Sequence, residues 1–213
     1  MGRINAPVRK ILTYASDHFG RNQSIVYILT IVSPDAAGKL HVRGLFIGND
    51  FECYERAAEL GMKVTITLAK KPLKRAVGYL DLNKSRSTWL GNKAIYRTCM
   101  AMADYGALYV IDPGLKRFGE DKQIDALIRK HGSSGTLRTM DAVEDHPELA
   151  DNLRAAAHPI HGSSEGRFSV TYAPDHLSRS EIEGVGYHYS LIKSLSDRFS
   201  ISLSTISKKR WIL

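Results

Sequence analysis

Hydrophobic and polar residues recur along the chain with two different periods, one typical of helices and one typical of strands. An apolar residue at every third or fourth position predicts a helix, and a run of β-branched and aromatic residues predicts a strand. In the first third of the chain, a helix capped by Asn5 is expected over residues 6–19, followed by strands over residues 24–32 and 40–47. A second helix is expected to be capped by Asn49 or Asp50 and to end at Gly61. The short link of turn-forming residues between the two strands favours an antiparallel hairpin.

The rest of the chain alternates strands with helices. Strands are expected over residues 64–68, 75–80, 108–111 and 167–172, and helices over residues 92–104, 121–131, 136–144, 148–157, 179–185 and 191–199. Such alternation predicts an α/β fold, a layered α/β/α domain with a mostly parallel sheet in addition to the antiparallel hairpin. With no linker rich in Pro or Gly, a single domain is expected over residues 1–199, followed by a poorly patterned tail over residues 200–213.

Composition narrows the class of protein. The chain has 213 residues, of which 43% are hydrophobic, enough for a sizeable core. No apolar run reaches the ~18 residues of a membrane helix, and no secretion signal is apparent, so a cytoplasmic protein without a membrane partner is expected. Cys53 and Cys99 are interpreted as small hydrophobic residues in a reducing compartment rather than as a disulfide framework.

The positive charge is concentrated in one stretch. The formal net charge is +8, and the stretch from Lys63 to Arg97 holds nine Lys and Arg residues against Asp81 alone. A local cationic field favours an anionic partner such as a carboxylate, a phosphate or a nucleic-acid backbone. The alternative for Lys70, Lys71 and Lys74 is a solvated strand edge that lysines protect from aggregation.

The segment from Ser85 to Arg97 carries the strongest candidate chemistry. It follows a predicted strand and opens a predicted helix, a place where open α/β sheets bind anions. Lys93 and Arg97 are four residues apart and therefore share one helix face. Gly91 would allow a ligand to approach the backbone closely. The candidate ligand-binding residues of this segment are Trp89, Asn92, Lys93, Tyr96 and Arg97. The alternative is a solvated basic helix face.

Two further loops are candidates. His158 and His161 have a spacing that metal sites sometimes use, but Pro159 is expected to break any helix between them, so no metal site is predicted. His161 is expected to be a polar contact to a ligand or a proton carrier, and the alternative is that these groups only satisfy the loop backbone. Lys116 and Arg117 follow a predicted strand and add cations at the carboxyl edge of the sheet, either in a loop that closes over a site or in an ordinary surface loop.

These segments resemble the C-terminal domain of the lactate racemase family, enzymes that use a nickel-pincer nucleotide. The matching stretches are residues 7–10, 42–48, 87–97, 115–121 and 158–168, within a likeness that extends from Asn5 to Tyr189. The resemblance implies two α/β domains with the active site between them. It implies that the first domain holds the cofactor and supplies the catalytic histidines, while the C-terminal domain closes over the site and holds the substrate carboxylate.

The resemblance also suggests a substrate class. Tyr96 and Arg97 match positions where lactate racemases place a tyrosine and a glutamine, whereas Met100 stands where they place a substrate-gripping lysine. With Lys93 and Arg97 present, the expected substrate is a larger or more anionic 2-hydroxy acid than lactate, such as a sugar acid. No residue of this chain is assigned a catalytic role.

The expected function is therefore a racemase or epimerase domain that requires a cofactor-binding N-terminal domain, in cis or in trans. The alternatives are a stand-alone module that binds a sugar acid or phosphate and, less favoured, a nucleic-acid binder, because the basic stretch contains few aromatic residues for stacking. A domain built to pack against another should also expose an apolar patch, through which the isolated chain is expected to self-associate.

Overall fold

The computed structural model describes residues 4–20, 22–66, 69–83 and 85–202. The chain divides into two compact units, unit 1 over Met1–Leu68 and unit 2 over Ala69–Leu213. The expected single domain over residues 1–199 stays a prediction. Residues 203–213 of the expected tail lie outside the described residues.

Unit 1 consists of two helices and a hairpin. Its elements are α1 (Pro7–Phe19), β1 (Tyr27–Pro34), β2 (Leu40–Gly48) and α2 (Phe51–Thr65). The strands pair antiparallel with Ile28 opposite Ile47, and the register shifts between Ile31 and Val32. Asp50 begins α2 as a cap, because its carboxylate accepts a hydrogen bond from the Cys53 amide.

Unit 2 contains a four-stranded parallel sheet with helices on both faces. Its strands are β3 (Leu73–Tyr79), β4 (Met102–Asp112), β5 (Phe168–Pro174) and β6 (His188–Tyr189), which pair in that order. Its helices are α3 (Thr88–Gly91), α4 (Lys93–Thr98), α5 (Lys122–His131), α6 (Thr136–Asp145), α7 (Pro147–Ala150), α8 (Leu153–His161), α9 (Arg179–Gly184) and α10 (Ile192–Phe199). The mixed α/β fold with a mostly parallel sheet and an antiparallel hairpin is confirmed.

The core of unit 2 covers both faces of this sheet. On one face, Leu108 and Val110 of β4 pack with Tyr172 of β5 in a large buried cluster that extends to the helices. On the other face, Ile111 and Leu195 belong to a smaller cluster that involves α10. Because hydrophobic side chains are sequestered on both faces, the strands read as nearly continuous apolar runs.

Three expectations in unit 1 were wrong. Asn5 does not cap the first helix, whose cap position is Ala6 without a side-chain hydrogen bond. The second helix does not end at Gly61 but continues to Thr65, so the strand predicted over residues 64–68 is absent from its described part. A Cβ at Gly61 would lie 3.6 Å from the Ile31 side chain, so this glycine lies inside the helix at a point facing the hairpin. The β-branched residues Val64 and Thr65 complete the last turn instead of starting a strand.

Two further expectations were wrong in unit 2. Of the single helix predicted over residues 92–104, residues 93–98 are helical, as α4, and β4 begins at Met102, because parallel pairing with Leu73 of β3 takes Met102 into the sheet. Pro159 does not separate His158 from His161, since both histidines lie in α8. Proline removes one helical hydrogen bond, but burial of Ala155, Ala156 and His158 holds this helix in place.

Candidate functional site

The candidate site lies where the chain leaves the carboxyl ends of β3 and β4. The segment after β3 and the segment after β4 run side by side: the Lys116 amide donates to the Arg86 carbonyl at 3.1 Å, and the Thr88 amide donates to the Arg117 carbonyl at 3.2 Å. The side chains of Lys116 and Arg117 are exposed. Two of the three segments that the sequence singled out therefore meet at the sheet edge where open α/β folds bind ligands.

Helix α4 separates inward from outward side chains. Ala94, Ile95 and Thr98 are buried, and the Thr98 hydroxyl donates to the Ala94 carbonyl at 2.6 Å. Lys93 and Tyr96 are half-buried, and Arg97 is exposed. Because positions i, i+3 and i+4 share one face of a helix, an ammonium, a phenol and a guanidinium lie next to one another on the outward side.

A buried hydrogen-bond network, here called the His158 network, joins α3, α4, α8 and β5. His158 Nε2 lies 2.8 Å from Thr88 Oγ1 and 3.2 Å from Asn92 Nδ2. The Tyr172 hydroxyl donates to Asn92 Oδ1 at 2.8 Å. The Tyr187 hydroxyl lies 3.3 Å from the same oxygen and 2.9 Å from Ser133 Oγ. The network ties four elements to Asn92 at the junction of α3 and α4.

Burial within the network favours a neutral His158. Asn92 Oδ1 already accepts from Tyr172, so its Nδ2 is the end that donates to the imidazole. Burial, with a smaller contribution from His161, lowers the pKa of His158 to about 4. Burial also raises the pKa of Tyr187 to about 12, so its phenol keeps the proton it donates.

Aromatic contacts link the network to the outward residues. Trp89 stacks on His158 with ring centroids 5.5 Å apart and an interplanar angle of 15°. Tyr96 lies against His161, one turn further along α8, with centroids 6.4 Å apart. Trp89 and Tyr96 are half-buried, and His161 is exposed. The buried histidine thus positions a partly accessible wall made of Trp89, Tyr96 and His161.

Asp112, the last residue of β4, is a buried carboxyl group beneath this site. Its Oδ2 accepts from Ser85 Oγ at 2.7 Å, and its Oδ1 has no hydrogen-bond partner among the described residues. Burial raises the pKa of Asp112 to about 7, against the opposing effect of the Ser85 bond. Near neutral pH this group therefore exchanges between a charged and a neutral form.

Gly91 does permit a close approach, but the approaching groups belong to the protein. A Cβ at this position would lie 3.1 Å from the Tyr172 hydroxyl and 3.2 Å from Asp112 Oδ2. The missing side chain lets the end of α3 rest directly on the carboxyl ends of β4 and β5.

A second concave region, a cleft of about 430 Å³, adjoins the His158 network. Tyr187 and Gly162 line this cleft, and the Tyr187 hydroxyl also donates to the Gly162 carbonyl. Its walls are rich in hydroxyl groups, including Ser133 and Ser163. Glu165 fills the start of α6, where its carboxylate accepts from the Thr136 hydroxyl at 2.7 Å and from the Thr136 amide. Arg138 lines the same cleft, which therefore offers a guanidinium and a carboxylate beside its hydroxyl groups.

The structure brings part of the sequence-predicted set together. Trp89, Asn92, Tyr96 and His161 meet around α8 through His158, while Lys93 and Arg97 extend the same surface along α4. Whether Lys116 and Arg117 reach a ligand stays a prediction, because the contacts that place them are backbone contacts.

The sequence reasoning missed Thr88, Asp112, Tyr172 and Tyr187 as members of the buried arrangement. Thr88 lies inside the segment from Ser85 to Arg97 that the sequence singled out, and Asp112 carried a usable signal as a carboxylate directly after a strand and before Pro113-Gly114. Within the described residues, no group of three or more His, Cys, Asp or Glu side chains is arranged to hold a metal ion. No helix in the described part of the chain is long and apolar enough to cross a membrane.

Comparison with known proteins shows the fold. No protein-family model and no curated protein matches the chain. A crystal structure of a Thermotoga maritima protein aligns with a TM-score of 0.71 and 23% identity, covering 96% of this chain and 50% of that one. The lactate racemase apoprotein from Thermoanaerobacterium thermosaccharolyticum aligns with a TM-score of 0.65 and 14% identity, covering 95% of this chain and 46% of that one.

The chain therefore has a lactate-racemase-like fold. It spans about half the length of these two solved structures.

Proposed function

We propose that this chain is the substrate-side, C-terminal domain of a racemase or epimerase of 2-hydroxy acids, which acts together with a cofactor-binding half. The observation that carries the proposal is the fold shared with lactate racemase over 95% of the chain. The clustering of Trp89, Tyr96 and His161 on one accessible wall supports a ligand site at the matching segments.

The role of this chain in the proposed reaction is to bind and orient the substrate. Arg97 would hold the substrate carboxylate through paired N–H donors, and Lys93 would add a point charge on the same helix face. The Tyr96 hydroxyl and the His161 ring would contact the hydroxyl groups of the acid. The His158 network would keep the wall fixed, because rigid support preserves the orientation that a reaction requires.

The lactate racemase family uses a nickel-pincer nucleotide, which supplies hydride-transfer chemistry when it is bound. The described residues of this chain do not fit that group, since they contain no cluster of metal-ligating side chains. We therefore assign the cofactor to the other half.

The proposed substrate is a sugar acid rather than lactate. Two cationic side chains on α4 suit a polyhydroxylated or multiply charged acid, and Met100 offers no charge to a carboxylate. A stand-alone module that binds a sugar acid or phosphate is the second candidate. The observation that favours it is the basic stretch from Lys63 to Arg97, which would attract anions without any partner.

A thermal-shift titration of the purified chain tests the proposal. We expect a sugar acid to raise the melting temperature by a few degrees and lactate to raise it less. The Lys93→Ala and Arg97→Ala variants should lose most of this shift, whereas Lys193→Ala, an exposed lysine of α10, should keep it.

Each other outcome is informative. Equal stabilisation by phosphate and by the sugar acid would favour the anion-binding module. Stabilisation by an oligonucleotide that weakens steeply with salt would favour nucleic-acid binding. A response to lactate alone, or a shift that survives both α4 variants, would contradict the proposed substrate site.

A further inference from the structure

The β1–β2 hairpin of unit 1 is apolar on both faces. One face, with Ile31, packs against α2, as shown by the approach of Leu60 to Gly44. The opposite face, here called the outer face, remains exposed. It consists of five aliphatic side chains that are 41–68% exposed, namely Ile28, Val32, Val42, Leu45 and Ile47.

The outer face is continuous. The registered pair of Ile28 and Ile47 lies beside the pair of Val32 and Val42 on the same side of the two strands, with Leu45 between them opposite Thr30. Exposed sheet faces normally carry polar residues at alternate positions, whereas this hairpin alternates between two apolar sets. A contiguous apolar surface of this kind marks a contact that the described structure does not contain.

Helix α1 shows the same feature. None of its residues is buried, although Val8, Ile11 and Leu12 recur at helical spacing and are 52–67% exposed. Its contacts to the rest of unit 1 include the Arg9 guanidinium over the Tyr54 ring at 4.2 Å. A helix with an apolar stripe is stabilised mainly by burying that stripe, so α1 also lacks its packing partner.

Unit 1 has little core of its own. Among its described residues, only Ser33, Cys53 and Ala57 are buried, and both hydrophobic core clusters consist of unit 2 residues. A two-stranded hairpin is marginally stable in water unless a further strand or layer covers it.

We infer that the outer face and the apolar stripe of α1 pack against the complementary half of a lactate-racemase-like polypeptide, so that unit 1 completes the core of that half. The inference rests on the proposed function. The match covers only 50% and 46% of the two solved chains. The other half of each chain is therefore long enough to supply the layer that would cover the outer face and the apolar stripe of α1. The complementary half occupies this surface whether it is on the same polypeptide or on a separate one.

Co-expression tests the inference. The probe is the part of the Thermotoga maritima protein outside the match, produced together with this full chain and isolated through a tag on the probe. We expect a one-to-one soluble complex by light scattering. Leu45→Glu and Ile28→Glu should each weaken the complex at least tenfold, because they bury a charge in the contact. Leu137→Glu, at an exposed apolar position in unit 2, should leave it within about twofold.

The alternative occupant is a second copy of this chain. A homodimer that is lost in Leu45→Glu and that persists in the presence of the probe would overturn the inference. So would the absence of a soluble complex, or a complex that both outer-face variants leave intact. Circular dichroism of each variant alone guards against misfolding, since both substitutions lie at exposed positions.

The two proposals fail separately. Loss of acid binding with an intact complex would refute the substrate site and leave the docking surface standing. Acid binding by the chain without any complex would refute the docking surface alone.

Discussion

Units 1 and 2 of this chain differ in how much hydrophobic core each of them contains. Unit 2 encloses its parallel sheet between two core clusters, with Leu108, Val110 and Ile111 of β4 fully buried. Unit 1 has strands that are richer in Ile, Leu and Val but leaves most of these side chains exposed. The same kind of hydrophobic pattern therefore yields a finished core in one region and an open surface in the other, which indicates that unit 2 is self-sufficient and unit 1 is not.

Truncating one leucine in each unit should give the largest difference in the free energy of unfolding. Leu108→Ala removes a fully buried side chain and should lower the free energy of unfolding by about 2–5 kcal/mol. Leu45→Ala removes a side chain that is 58% exposed and should change it by less than about 1 kcal/mol. Urea titration of both variants measures the difference. Equal losses would show that the outer face is already covered in the isolated chain.

The pH dependence of stability should separate Asp112 from His158. The pKa of Asp112 is raised on folding, so its contribution is present at low pH and is lost as pH rises from about 4 towards about 7. The pKa of His158 is lowered on folding, so its contribution is present above about 6.5 and is lost as pH falls towards about 4. In the native chain the two effects oppose each other and flatten the profile.

Single variants should separate the contributions of Asp112 and His158 to the pH dependence of stability. Asp112→Asn removes a buried charge and should stabilise the chain at pH 8 by up to about 4 kcal/mol, while leaving a steeper loss of stability in acid. His158→Gln should remove that loss in acid at the expense of overall stability. Asp151→Asn, at an exposed position, serves as the control. Urea titrations at pH 5 and pH 8 supply the comparison, and parallel profiles for all variants would exclude both assignments.

A smaller effect is expected at Gly162. A Cβ there would collide with the Asn92 side chain and the Tyr187 hydroxyl, so Gly162→Ala should destabilise unit 2 by about 1–3 kcal/mol. It should also weaken acid binding, because Asn92 supports the site. Gly184→Ala meets open space and should be nearly neutral. Thermal unfolding of the Gly162→Ala and Gly184→Ala variants measures the difference. An unchanged melting temperature in Gly162→Ala would mean that the His158 network can shift without strain.

Local patterns predicted much of the fold. The hairpin, the helix over residues 121–131 and the cap at Asp50 follow from β-branched runs, helical spacing and short-range hydrogen bonds. Where prediction failed, long-range pairing decided the outcome. β4 extends back to Met102 because this residue pairs with Leu73 of β3, and nothing near Met102 in sequence signals that neighbour.

The candidate site was only partly accessible to the same reasoning. Trp89, Asn92 and Tyr96 stood out because they lie in one segment after a strand. Asn92 and Tyr172 are 80 residues apart, and Asn92 and Tyr187 are 95 apart, so their meeting could not be read from spacing. The exposure of the outer face was anticipated only in general terms, as an apolar patch somewhere on the chain.

The division of α4 into two sides bears on how its specificity could change in evolution. Ala94, Ile95 and Thr98 secure the helix from within, so exchanging Lys93, Tyr96 or Arg97 would alter the accessible surface while sparing the core. Under the proposed function, a lineage could in this way move from one acid to another through a few single substitutions, each tolerated by the fold. Diversification of ligand choice would then proceed faster than diversification of architecture.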